Sequence, residues 1–218
     1  MLIGDIVKVL KNIKFQTIAA LLLFIINIQL ITFFADIEPT KEFWARKIFY
    51  LHVPIAWSAF LGSFLVMVYS VLYLVTKKNK WDRIGVSSAE TTLLFTLLIL
   101  ITGPIWASPV WGQPWSWEPR LITTLILFLI YLGYFMVRGY TQSYELSARL
   151  SSVIGIIAFL DIPIIYKSVT FWSPDAQAHP QTDNLGYGDI NIFLFSLLSF
   201  TILLVNMISV RASAMKEK

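Results

Sequence analysis

Few residues in this 218-residue chain could bind a ligand through strong chemistry. It has two histidines, His52 in FYLHVPIAW and His179 in AQAHPQ, and no cysteine. Imidazole is a common axial ligand of haem iron, and two imidazoles beside aromatic surface make a six-coordinate site that needs no thiolate. Zinc or copper would want further ligands; Asp36, Glu38, Glu42, Glu118 and Asp175 are acidic candidates, but no local spacing groups them with a histidine. The plainer reading of either histidine is a helix-end residue hydrogen-bonded to a carbonyl. The lack of cysteine excludes disulfides, a thiol nucleophile and the C-x-x-C-H haem attachment. No Gly-rich phosphate loop is present, so an ATP-driven step would need a partner.

Between the histidines lies WGQPWSWEPR, residues 111–120. Trp106, Trp111, Trp115 and Trp117 fall close together, with Gly103-Pro104 before them and Gly112 and Pro114 interleaved. A single tryptophan at a membrane surface is an interface anchor. A cluster could equally cap a helix bundle or hold a flat ligand, each aromatic contact adding about 0.5–1.5 kcal/mol beyond its buried area. Glu118-Pro119 reads as a carboxylate at a helix N-terminus followed by proline in the first turn. Arg120 then either snorkels or pairs with an anionic ligand group such as a haem propionate. His52-Val53-Pro54 follows the same grammar and predicts a helix starting near Pro54, with His52 at its mouth. Asp161, in LDIPII, needs a hydrogen bond or a polar cavity wall, because a carboxylate at membrane depth is costly.

The elements that must position these residues are membrane helices. The chain is 57% hydrophobic and 14% charged, with mean hydropathy +0.71, which fits an integral membrane protein better than a solvated domain. Six apolar runs approach the ~20 residues that cross a bilayer: Thr17–Phe34, Pro54–Thr76, Val86–Trp106, Leu121–Val137, Leu150–Tyr166 and Asp189–Val210. The expected fold is all-α, one six-helix transmembrane domain over residues 1–218. The basic start precedes an apolar run too long for a signal-peptide core, so it is read as a retained first span. With the N-terminus cytoplasmic, that side holds twelve of the seventeen Lys and Arg residues. The positive-inside rule thus puts both termini in the cytoplasm and the tryptophan loop, between helices 3 and 4, outside with both histidines. The net charge of +4 is an insertion signal on this reading, with no implication for nucleic acid.

W-G-Q-P-W-S-W-E-P-R-L resembles the W-G-x-x-W-x-W-D-x-R-L-T (WWD) signature of the haem-handling superfamily of cytochrome c biogenesis. F-Y-L-H-V-P-I-A-W, G-P-I-W and I-P-I-I, with the six-span plan, are similar to the cytochrome c maturation protein C, or haem exporter protein C, family. The resemblance runs over roughly residues 47–207. It implies a haem b platform on the external face of a prokaryotic inner membrane, with His52 and His179 as the axial iron ligands. Trp111, Gly112, Trp115, Trp117, Glu118 and Arg120 would then present the porphyrin. The implied partners are the membrane-anchored haem chaperone CcmE, the ATP-binding cassette subunits CcmA and CcmB, and the small single-span protein CcmD. On this reading the chain delivers haem rather than transforming it; whether it assists covalent attachment to the chaperone stays open. Glu118 replaces the family's Asp, Ile122 stands where the signature has Thr, and the interval from Trp172 to His179 is longer than the family's. Two rivals remain. A cytochrome c synthase of the superfamily should carry more histidines within the membrane and a large external domain. A bis-histidine electron-transfer cytochrome usually sets its histidines on facing helices.

Overall fold

The computed structural model describes residues 12–35, 43–172 and 189–215. Within them the chain forms six helices: α1 (Ile13–Phe33), α2 (Phe43–Thr76), α3 (Asn79–Trp111), α4 (Pro119–Tyr140), α5 (Tyr144–Phe171) and α6 (Ile190–Ala214). All six are long and apolar enough to cross a membrane, and the described residues contain no strand. The apolar runs therefore locate the helix centres correctly, but α2, α3 and α5 extend well beyond them. Helix α2 starts eleven residues before Pro54, so Pro54 lies buried inside the helix and does not open it. His52 accordingly sits nine residues, ~14 Å, into α2, and not ahead of its first turn.

Helices α2 and α3 form a tight antiparallel hairpin joined by Lys77 and Lys78, with Lys77 in the left-handed region at φ 55°. Theirs is the most extensive pairing in the bundle; α5 and α6 also pack on α2, α4 packs on α5 and α3, and α1 packs on α6. Small and hydroxyl residues let the helix backbones approach, since lipid supplies no hydrophobic drive between helices. Ser88, Thr92 and Thr96 on the buried face of α3 return their hydroxyl protons to carbonyls one turn back. Opposite them stands Gly62 of α2, where an added Cβ would lie 2.3 Å from the Thr92 hydroxyl oxygen. At Gly155 of α5 an added Cβ would lie 2.7 Å from Val66 Cγ1.

Polar rungs join the helices, some within the apolar core and one at its periphery. Tyr131 of α4 donates to Ser63 of α2 at 3.0 Å, Ser196 of α6 to Asn27 of α1 at 2.7 Å, and Trp57 of α2 to Thr201 of α6 at 3.1 Å. The Lys47 amine donates to the Thr32 carbonyl at 2.6 Å, which puts a cation on the C-terminal turn of α1, where the helix dipole favours it.

The end of the bundle away from the tryptophans is fastened by charge. Asp82 of α3, only 5% exposed, accepts two bonds from Arg138 of α4 at 2.8 and 2.9 Å and one from the Tyr144 hydroxyl of α5 at 2.8 Å. Arg138 also donates to Ser151 of α5 at 2.7 Å. A buried carboxylate is tolerable here because a bidentate guanidinium and a hydroxyl replace its hydration. Glu90 of α3 and Arg211 of α6 form a second, more exposed ion pair.

Candidate functional site

The site is built at the other end. Helix α3 runs unbroken through Gly103, Pro104 and Pro109 to Trp111 and stops at Gly112, whose φ of 75° is the left-handed turn a glycine accepts without strain. The Gly112 N–H donates to the Ser108 carbonyl at 3.0 Å. Trp106 and Trp111 are thus helical, and the connecting loop is only residues 112–118. Helix α4 then begins as its local sequence predicts: Glu118 is the N-cap and Pro119 the first helical residue. Thr123 and Thr124 donate to the Pro119 and Arg120 carbonyls, tightening that first turn.

The indoles pair edge to face, Trp106 with Trp111 at 5.1 Å and 85°, and Trp115 with Trp117 at 5.7 Å and 80°. This is the arrangement that ring quadrupoles favour over flat stacking. Trp117 is 75% exposed, whereas the Trp115 indole nitrogen is buried and has no hydrogen-bond partner among the described residues. Glu118 is buried and its Oε1 accepts from the Ser116 hydroxyl at 3.0 Å. Arg120 reaches the Tyr166 carbonyl of α5 at 3.5 Å, at the limit of hydrogen-bonding range.

His52 packs against α3. Its Nδ1 is 2.7 Å from the Thr102 hydroxyl oxygen, and a Cβ added at Gly103 would lie 3.5 Å from its Cε1. The ring therefore faces α3 beside a position with no side chain, just before Pro104. The Tyr131–Ser63 bond sets the register of the parallel helices α2 and α4. Arg120 and His52 each stand eleven residues, ~16 Å, nearer the tryptophan end than that bond, which puts them at similar heights. Thr102 and Gly103 had no separate role in the sequence reading of His52; the only signal was their place in the helix entering the tryptophan stretch. His179, the second expected ligand, lies outside the described residues, as do Asp36, Glu38, Glu42 and Asp175. Among the described residues no three His, Asp or Glu side chains gather into a metal cage. Asp161 is buried within α5, and its Oδ2 has no hydrogen-bond partner among the described residues.

An aromatic end holding an imidazole, a guanidinium and an unpartnered indole N–H suits a planar, anionic, metal-bearing ligand. The family model described as Heme exporter protein C matches residues 5–217. A ccmC-like mitochondrial protein of Marchantia polymorpha, named for cytochrome c biosynthesis, is 39% identical over 127 residues, which is 58% of this chain and 53% of that protein. Heme exporter protein C of Paracoccus denitrificans is 33% identical over 62% of this chain and 56% of its own length. The Escherichia coli K12 protein of that name is 30% identical over 74% and 68%. The chain spans about half the length of the first of these curated relatives. With nearly its whole length matched by the family model, the chain belongs to the heme exporter protein C family.

Proposed function

We propose that the chain holds haem b at the external face of the membrane, as one six-helix unit, and hands it to a membrane-anchored chaperone of the CcmE kind. The assembly would include ATP-binding cassette subunits of the CcmA and CcmB kind and a CcmD-like single-span protein. Haem is cargo here. The observation that carries the reading is His52, tied to α3 through Thr102 at the height of Arg120, in a bundle end rimmed by tryptophans.

The residues divide the work by chemistry. His52 supplies one axial nitrogen and His179 the other, so that iron held between two imidazoles keeps no open position for oxygen. Trp111, Trp115 and Trp117 give apolar surface to the porphyrin, with the glycine turn at Gly112 setting the angle of the loop. The buried Trp115 indole N–H and the Arg120 guanidinium are donors for carboxylates, and Arg120 is the stronger because its bond is charge-assisted. Glu118, tied to Ser116, keeps the start of α4 in place beside Arg120. The positive-inside distribution supports an external tryptophan end and an inner-membrane location. ATP hydrolysis belongs to the partners, since the sequence has no phosphate-binding loop.

The test is an absorption spectrum of the purified protein with haem, beside His52→Ala and His179→Ala variants. Loss of the low-spin bis-imidazole spectrum in both is the expected result. Its survival in both variants would remove the ligand assignment. Trp115→Ala with Trp117→Ala should weaken haem retention and chaperone loading; unchanged retention and loading would leave these indoles as interface anchors only.

A further inference from the structure

The side chain that decides which nitrogen of His52 faces a ligand is on the next helix. Thr102 Oγ1 makes two short contacts: 2.7 Å to the Leu98 carbonyl and 2.7 Å to His52 Nδ1. A hydroxyl has one proton, and a carbonyl oxygen can only accept. The proton therefore goes to Leu98, and the oxygen can bond His52 only as an acceptor. Nδ1 must then carry a hydrogen, and the neutral ring is the Nδ1–H tautomer with the lone pair on Nε2. A Cβ added at Gly103 would come within 3.5 Å of Cε1, so the absence of a side chain there leaves room beside the ring edge between the two nitrogens.

We propose that Thr102 is a positioning residue for His52: its hydroxyl, locked to the Leu98 carbonyl, fixes the imidazole as the Nδ1–H tautomer and presents Nε2 as the donor atom for iron. This rests on the reading of His52 as a haem ligand, although the tautomer itself does not. The arrangement corresponds to the outer hydrogen bond that metal-bound histidines generally make, which sets ring orientation and ligand basicity. Its acceptor here is a neutral hydroxyl and not a carboxylate. Nδ1–H is thus polarised weakly, and the ligand keeps the character of a neutral imidazole. A neutral imidazole is released more readily than an imidazolate-like one, which suits a protein whose cargo must leave.

The chain's two histidines make the tautomer directly readable. Full-length protein labelled with 15N-histidine is studied without haem, and two-bond 15N–1H correlation separates the protonated nitrogen from the bare one in each ring. His52 should show Nδ1 protonated in the wild type and in Thr102→Ser, which keeps the hydroxyl. Thr102→Val should lose that signature and give a mixture of tautomers. A protonated Nε2 in the wild type, or an unchanged spectrum in Thr102→Val, would overturn the proposal. Haem titration is the second arm: Thr102→Val should bind haem ~10-fold to 100-fold more weakly, with Thr102→Ser restoring affinity. Equal haem affinity in all three proteins overturns the positioning role. If His52→Ala itself retains the bis-imidazole spectrum, the ligand reading fails, while the tautomer measured without haem still stands on its own result.

Discussion

Replacing Gly62 by alanine should loosen the bundle core and disturb the histidine ten residues away. The new Cβ would stand 2.3 Å from Thr92 Oγ1 and 3.3 Å from Thr92 Cβ. Ordinary contact begins near 3.5 Å, so the pair is short by about 1 Å. Thr92 cannot turn aside cheaply, because its hydroxyl donates to the Ser88 carbonyl at 2.7 Å in a fully buried position. Turning it strands a buried hydroxyl, at about 1–3 kcal/mol. Keeping that bond forces α2 and α3 apart, and overpacking of this kind also costs about 1–3 kcal/mol. The second route carries a signature: about 1 Å of separation stretches the 2.7 Å His52–Thr102 bond beyond hydrogen-bonding range. Unfolding of detergent-solubilised protein reads the stability loss, and the His52 15N signals report which route is taken. Thr92→Ala in the same chain removes the closer contact and should recover roughly half the loss, since the 3.3 Å Cβ contact remains. A Gly62→Ala protein within 0.5 kcal/mol of wild type, or no recovery in the double variant, would refute the packing argument.

Removing the carboxylate of Asp82 should cost toward the lower end of about 3–5 kcal/mol, because it leaves the half-buried Arg138 guanidinium with the Ser151 hydroxyl but no counter-charge. The loss should appear as a large fall in Tm, and Asp82→Leu combined with Arg138→Met should recover most of it; an unchanged Tm in Asp82→Ala would contradict the arrangement. Topology can be tested with single cysteines, as the chain has none of its own. Pro114→Cys should react with a membrane-impermeant maleimide on intact cells and Asn79→Cys only after permeabilisation, and the reverse pattern would invert the proposed orientation.

The helix centres were legible because apolar runs of membrane length admit one solution, whereas the helix ends depend on partners far along the chain. Hydropathy ends the third span near Val86 because Lys80, Asp82 and Arg83 are charged. The helix continues to Asn79 because Arg138, 56 residues later, neutralises Asp82. Likewise the first eleven residues of α2 include Arg46 and Lys47, and Lys47 is accommodated by a carbonyl of α1. Pro54 misled for a related reason. A proline suits a first turn, but helix packing can carry one in the interior, and here it is buried within α2. Glu118, Pro119 and Arg120 were readable because capping is local. His52 was readable as a residue type but not as a geometry, since Thr102 is fifty positions away and only the α2–α3 hairpin brings the two together.

The cluster around Asp82 also sets a leverage. It clasps α3, α4 and α5 at one end, and from Arg138 the shaft of α4 runs eighteen residues, ~27 Å, up to Arg120. About that fulcrum a swing of only ~2° carries the Arg120 end sideways by ~1 Å over that length. That exceeds the slack in its 3.5 Å reach to the Tyr166 carbonyl. A tilt too small to disturb the clasp would thus be enough to let go of, or take hold of, whatever Arg120 grips.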